Sequence, residues 1–427
     1  MDNIKELAAK AKHATVALAM SGSGRRSEAL LASAAALEAR QEEIFRANSG
    51  DVARSQAEGL AMPLLKRLKF DGRKLATVCA GLRQLAAMED PLGRTLYACE
   101  LDEGLSLRRE TCPIGVIGII FESRPDALVQ ISGLCLKSGN AVLLKGGSEA
   151  MLTNRALFDA IYGAAVSCGM PEGWAGLMET RQDVAEMLKL DDSIDLVIPR
   201  GSNAFVRHIM DNTRIPVMGH ADGICHVYVD AAADVEMAVR VTLDSKAQYV
   251  AVCNAAETLL VHRDIAGAFL PEMKKAFDAA HVEVRGCKRT RAVIDVNPAD
   301  DEDWDTEYLD YIISVKIVDS ADEAIAHINR HGSRHTDAIV TRDRETAERF
   351  MGMADSAGVF WNCSTRFADG YNYGLGAEVG ISTGKLHARG PVGLEGLVSY
   401  KYKLYGSGQT MGEYAEGFKT FRHTRLI

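Results

Sequence analysis

The chain has 427 residues, 47% of them hydrophobic and 25% charged, with 49 Lys and Arg against 58 Asp and Glu for a formal net charge of −9. That length calls for two or three domains at roughly 100–200 residues each, and the balanced composition excludes disordered, collagen-like and low-complexity chains. An acidic balance without a basic stripe argues against a nucleic-acid partner, and an anionic substrate would need local Lys or Arg to overcome the protein's own field.

The longest apolar segment, 112–121, contains Pro113, Gly115 and Gly118 and falls well short of the about 20 residues of a membrane helix. Residues 14–20 are apolar and follow Lys5, Lys10 and Lys12, but Asp2 and Glu6 break the positive region that a signal peptide needs. An amphipathic helix in a cytoplasmic protein is the reading that results. The nine cysteines include no Cys-x-x-Cys pair, which argues against a zinc ribbon, a thioredoxin motif or a disulfide framework.

In chain order, residues 1–95 carry a helical period, with Leu7, Ala11, Val16 and Leu18 near one face. Asn48-Ser49-Gly50-Asp51 and Phe70-Asp71-Gly72 read as turns. Segments 95–100 and 105–109 flank Asp102-Glu103-Gly104, a hairpin signal. The run 115–121 then reads as a buried strand, 125–137 as a helix and 141–144 as a second strand ending at Lys145-Gly146-Gly147-Ser148-Glu149. A third strand, 194–198, ends at Pro199-Arg200-Gly201-Ser202. Such alternation signals parallel sheet covered by helices, with ligands beyond the carboxyl ends of the strands. A second alternating block follows: strand at 226–230, helix at 235–242, strand at 258–261 and helix at 323–329, before a strand-rich tail that includes 396–405.

Glycines around Lys145 would let backbone N–H groups approach a phosphate at a helix start, with the ammonium adding charge, although an ordinary glycine turn has the same spelling. No Gly-x-Gly-x-x-Gly occurs, because the Gly-x-Gly pairs at 22, 374 and 406 lack the third glycine; a dinucleotide would need another geometry. Cys253 lies between a helix and a strand, a setting that permits a nucleophile. His327, His331 and His335 have the spacing of a metal face, but Gly332-Ser333 interrupts the helix, so core or surface histidines are the reading and no metal is expected. The glycine-rich stretch 374–384 reads as backbone that passes close to a ligand or a partner.

Five stretches carry a family resemblance. Residues 109–150 contain Cys-Pro-Ile-Gly-Val-Ile-Gly-Ile-Ile-Phe-Glu-Ser-Arg-Pro and Leu-Lys-Ser-Gly-Asn-Ala-Val-Leu-Leu-Lys-Gly-Gly-Ser-Glu-Ala. Together with 195–203, 217–230, 253–262 and 361–397 (with Asn-Cys-Ser-Thr-Arg-Phe-Ala-Asp-Gly), they resemble the gamma-glutamyl phosphate reductase family, or glutamate-5-semialdehyde dehydrogenases, of the aldehyde dehydrogenase superfamily. The resemblance implies an aldehyde dehydrogenase-like α/β fold. Its parts would be a Rossmann-like cofactor domain (1–107 with 124–229 and 366–385), an α/β catalytic domain (230–365) and a β-rich oligomerisation flap (108–123 with 386–427). The implied activity is NADPH-dependent reduction of L-glutamyl 5-phosphate to L-glutamate 5-semialdehyde and phosphate through a Cys thioester, the second step of proline biosynthesis from glutamate. A homo-oligomer is implied, with glutamate 5-kinase as a partner.

By resemblance, Cys253 is the nucleophile, Lys145 touches the adenosine ribose, and Gly147-Ser148 leave room for a 2′-phosphate. Gly201-Ser202 form the turn by the pyrophosphate, and Glu307 holds the nicotinamide ribose. Arg124 and Arg366 are candidates for the substrate carboxylate or phosphate, since a guanidinium grips either in bidentate fashion; structural ion pairs would use them equally well. Hydrolytic relatives carry a water-activating Glu upstream of the nucleophile, whereas this chain has His220-Ala221-Asp222-Gly223 there. The usual oxyanion-hole asparagine is also replaced, by Glu122-Ser123-Arg124-Pro125, leaving Asn254 or Ser123 to take its place. A CoA-acylating dehydrogenase shares the nucleophile and the missing Glu.

Overall fold

The computed structural model describes residues 3–122, 124–219 and 222–427; Ser123, an oxyanion candidate, and His220-Ala221 lie outside the described residues. Helices Ile4–Met20, Ser23–Ala39, Gln41–Ala57, Met62–Leu68 and Gly72–Ala87 open the chain. The first buries Ile4, Ala8, Ala11, Ala14 and Leu18, a steady three-to-four-residue stripe. Val16 falls off that stripe and is 70% exposed, contrary to the expected face.

The expected turn at 48–51 is instead the middle of helix Gln41–Ala57. Its polar residues serve other elements' backbones. Asp51 accepts from the Thr153 N–H at 2.8 Å and the Thr153 hydroxyl at 2.7 Å, capping helix Met151–Ser167. Asn48 accepts from the Phe70 N–H at 2.8 Å and donates to the Leu68 carbonyl at 3.0 Å. Capping chemistry was present, but it acts across the fold rather than along the chain.

Among the described residues, the first sheet is parallel and runs in the order Ala175–Met178, Ala141–Lys145, Val116–Ile120, Leu196–Pro199. Its two central strands are buried along their whole length, as near-continuous Val, Ile and Leu dictate. The second sheet is also parallel. Its order is Asn297–Pro298, Glu283–Gly286, Ile312–Val318, Ala256–His262, Cys225–Val229, Thr336–Val340, Gly358–Trp361. The third is antiparallel, Val398–Tyr405 against Leu105–Pro113, Thr95–Asp102 and Thr424–Arg425.

The sheets cut across the expected segments: Val116–Ile120 is central in the first sheet, Thr95–Asp102 pairs in the third, and Cys225–Val229 lies in the second. Leu105–Pro113 and Val116–Ile120 are separated only by Ile114-Gly115, so hydropathy shows no break where the chain changes sheets. Among the described residues no helix is long and apolar enough to cross a membrane.

The three histidines separate. Helix Ala321–His331 ends before Gly332, and His335 adjoins strand Thr336–Val340. The His327 and His331 rings lie 4.5 Å apart, and Lys316 Nζ donates to His327 Nδ1 at 3.2 Å. Burial first, then His226 and Lys316, hold the His327 imidazole down to about 2. A histidine kept neutral when folded contributes stability above its unfolded value near 6.5, and that contribution is lost as pH falls below it, at up to about 1.4 kcal/mol per pH unit. Thermal unfolding at pH 7.5 and 5.5 should therefore show a larger acid loss for the wild type than for His327→Gln. Equal losses would contradict the assignment.

Candidate active site

Cys253 sits half-buried in the connection between helix Val235–Ala247 and strand Ala256–His262. The connection is strapped from several sides. The Cys225 thiol donates to the Cys253 carbonyl at 3.2 Å, and the Thr365 hydroxyl donates to the Asn254 carbonyl at 2.7 Å. The Asn254 side-chain amide donates to the Ala368 carbonyl at 2.9 Å. Among the described residues, the Cys253 N–H donates to no partner within the chain, which leaves it available to an oxyanion. A Cβ on Gly223 would lie 2.4 Å from Cys253 Cα and 2.3 Å from its carbonyl oxygen, so glycine is required where segment 217–223 presses on the nucleophile.

Segment 217–223 also touches the first sheet. The Met218 N–H donates to the Val197 carbonyl at 2.9 Å, and Gly219 packs against Pro199. Met218 and Gly219 thus lie at the end of strand Leu196–Pro199, and Gly223 lies against Cys253. Asp222, the sole acid in this stretch, is bonded to Arg207.

The expected cofactor residues gather around the first sheet's carboxyl edge. Glu307 accepts from the Asn203 side-chain amide at 2.6 Å, which brings it beside the Gly201-Ser202 turn that opens helix Asn203–Asp211. Gly201 packs against the Glu122 carboxylate. Lys145 is buried and bonded to the Gly146 carbonyl; burial lowers its ammonium, with the charge of Glu149 working the other way. Burial and then Glu149 raise the Glu122 carboxyl. Ser148 is exposed, but the space beside Gly147 is filled: a Cβ there would lie 1.9 Å from a Glu149 carboxylate oxygen. The room expected at Gly147-Ser148 is therefore narrowed by an acid four positions beyond the strand end. Glycine turns, helix starts and the Glu307–Asn203 tie fit a dinucleotide laid across these strand ends.

Of the residues expected at the substrate, Arg124 is exposed just before helix Pro125–Lys137. Arg366 donates through Nε to Gln248 at 3.0 Å. Asn254 is committed to Ala368, and its Oδ1 is buried without a partner; an acceptor facing inward does not serve an oxyanion. Sequence reasoning passed over Arg200, which follows strand Leu196–Pro199. Burial and Arg124 lower its guanidinium, and the other groups whose charge acts on it are Glu378, Cys253 and Asp126. It also passed over the buried Lys246–Glu257 pair that flanks the Cys253 connection. A loop arginine and an isolated lysine carry no periodic signal, so only the fold reveals their placement.

The family model described as "Aldehyde dehydrogenase family" matches residues 1–290. A gamma-glutamyl phosphate reductase of Pelotomaculum thermopropionicum is 62% identical over 424 residues, 99% of this chain and 98% of that one. The chain belongs to the gamma-glutamyl phosphate reductase family, within the aldehyde dehydrogenases. An Acetivibrio thermocellus member is 59% identical over the same share of both chains. The crystal structure of the Thermotoga maritima family member matches with a TM-score of 0.93 and 39% identity, over 96% of this chain and 100% of that one. A Rhodopseudomonas palustris propionaldehyde dehydrogenase, at 14% identity and a TM-score of 0.64 over 94% and 97% of the two chains, shares the fold. Membership accounts for the paired parallel sheets with a cysteine between them.

Proposed function

We propose that this chain reduces L-glutamyl 5-phosphate to L-glutamate 5-semialdehyde and phosphate through a thioester on Cys253, the second step of proline biosynthesis from glutamate. The observation that carries this reading is the pairing of an accessible Cys253, its N–H open to an oxyanion, with an approach segment that has no free carboxylate. The thiolate attacks the acyl carbon, the backbone N–H holds the developing negative charge, and phosphate departs. Asp222 is tied to Arg207, which makes it a poor base for water, so the thioester persists until it is reduced. NADPH, when bound, supplies the hydride; Lys145, Ser148, Gly201-Ser202 and Glu307 would hold it, with Lys145 supplying positive charge. The substrate's name comes from the relatives, and the chemistry suits it.

The strand Val398–Tyr405 has one unpaired edge among the described residues and exposes Tyr400, Tyr402 and Leu404. That edge supports a homo-oligomer built through the third sheet. The kinase that makes the labile acyl phosphate is the expected partner.

The reaction is tested in reverse, following NADP⁺ reduction by glutamate 5-semialdehyde. Strict dependence on inorganic phosphate is expected. Turnover without phosphate, or with CoA in its place, would mean that water or a thiol resolves the thioester, and the substrate assignment would fall.

A further inference from the structure

We propose that Arg200, with Arg124 beside it, receives the phosphate of the acyl phosphate and, in reverse, free inorganic phosphate. The proposal rests on the reaction assigned above and adds its anion site.

Placement is the first argument. Ile120 and Pro199 are register partners in adjacent parallel strands, and the Arg200 N–H donates to the Ile120 carbonyl at 2.7 Å. Arg200 and the segment leading to Arg124 therefore leave the sheet at the same carboxyl edge. Two chain segments join that edge to Cys253. The first carries Gly219 against Pro199 and Gly223 against Cys253. The second leaves Asn254 through Thr365 and Ala368 and reaches Gly380, where a Cβ would lie 3.9 Å from Arg200 Nε. The glycine-rich stretch was expected to pass close to a ligand or a partner; what Gly380 lies against is the chain's own Arg200 guanidinium.

The second argument is vacancy. Among the described residues neither Arg200 nor Arg124 forms a salt bridge, Arg200 meeting carboxylate charge only at longer range, whereas Arg207, Arg285 and Arg389 are each paired. Glu378 and Asp126 act on Arg200 only from beyond ion-pair distance, so the repulsion between two like charges is only partly offset, and a dianion between them recovers the rest. Arg366 has already given its Nε to Gln248, which makes it the weaker candidate.

The chemistry needs a cation at this place. As the Cys253 sulfur–carbon bond forms, the carbon–oxygen bond to phosphate breaks with its electron pair on the phosphate. The thiol proton ends on that departing anion, so charge and atoms balance. Negative charge grows on the leaving oxygen during this step, and a bidentate guanidinium fits phosphate geometry.

Steady-state kinetics of the reverse reaction test the assignment with Arg200→Gln, Arg200→Lys and Arg124→Gln. Arg200→Gln should raise KM for phosphate about 10- to 100-fold, with KM for NADP⁺ and for the aldehyde within about twofold. Arg200→Lys should recover part of the loss. A readout independent of turnover is alkylation of Cys253 by iodoacetamide: inorganic phosphate should slow it in the wild type and not in Arg200→Gln. An unchanged phosphate KM, or a rise confined to the aldehyde or to NADP⁺, overturns the assignment and leaves the reaction standing. A wild-type enzyme that needs no phosphate overturns both. Should Arg200→Gln fail to fold, Arg124→Gln, on the exposed rim, must show the same selective rise in phosphate KM or the proposal falls.

Discussion

Replacing Cys253 by alanine is expected to lower phosphate-dependent turnover by about 10⁴-fold or more while NADPH still binds. The substitution removes one sulfur from a half-buried side chain, so the surrounding fold has little to repack. The straps that hold the connection, from Cys225, Thr365 and Ala368, reach the backbone of Cys253 and both backbone and side chain of Asn254, not the thiol. Loss of activity would thus report chemistry rather than collapse. Fluorescence titration of NADPH and initial rates of NADP⁺ reduction, measured on the same preparation, separate the two. Cys253→Ser should be nearly as inactive, because an alkoxide is far harder to form than a thiolate at neutral pH. Turnover near the wild-type level in either variant would remove Cys253 from the mechanism.

Part of both parallel sheets was legible because burial on both faces forces unbroken Val, Ile and Leu, as in Val116–Ile120 and Ala141–Lys145, whereas strands such as Ala175–Met178, Ile312–Val318 and Thr336–Val340 went unassigned. The turn assigned to 48–51 failed for a physical reason. Asn, Ser, Gly and Asp bond readily to backbone, and nothing in one sequence says whether that backbone is local or belongs to Thr153 and Phe70. Val16 failed similarly: it is apolar, yet it lies off a face that alanines complete.

Candidates could be picked out wherever a loop is marked by its own residues, as with Cys253, Gly201 and Ser202. The site was illegible where function depends on which strands adjoin. Glu307 lies beside Asn203, 104 positions away, and the family resemblance placed it near the cofactor without indicating that tie. Arg200 stood within a quoted motif, but its neighbours Arg124, Glu378 and Cys253 come from three other parts of the chain. Arg366 and Asn254 were legible as polar groups near the cysteine, and the fold spends both on holding the connection together.

Glu257→Gln should destabilise the protein by about 3–5 kcal/mol, the cost of leaving a buried charge without its partner. Lys246 and Glu257 are both fully buried and bonded to each other. Burial pushes the Glu257 carboxyl up to about 7 and lowers the Lys246 ammonium, so each depends on the other to remain charged. The pair is also a joint. Lys246 lies in the last turn of helix Val235–Ala247, Glu257 is the second residue of the strand after Cys253, and the Leu309 N–H donates to Glu257 at 3.4 Å, two positions from Glu307. Breaking it should loosen both the nucleophile and the residue placed at the nicotinamide ribose, raising KM for NADP⁺ as well as lowering the unfolding midpoint. The double variant Lys246→Met/Glu257→Leu removes both charges with similar volume and should recover most of the stability, because replacing a buried pair by apolar groups is often neutral. Its KM should stay high, since leucine cannot accept the Leu309 N–H. Recovery of both quantities together would show that the pair serves stability alone; loss of neither in Glu257→Gln would show that it serves nothing at this site.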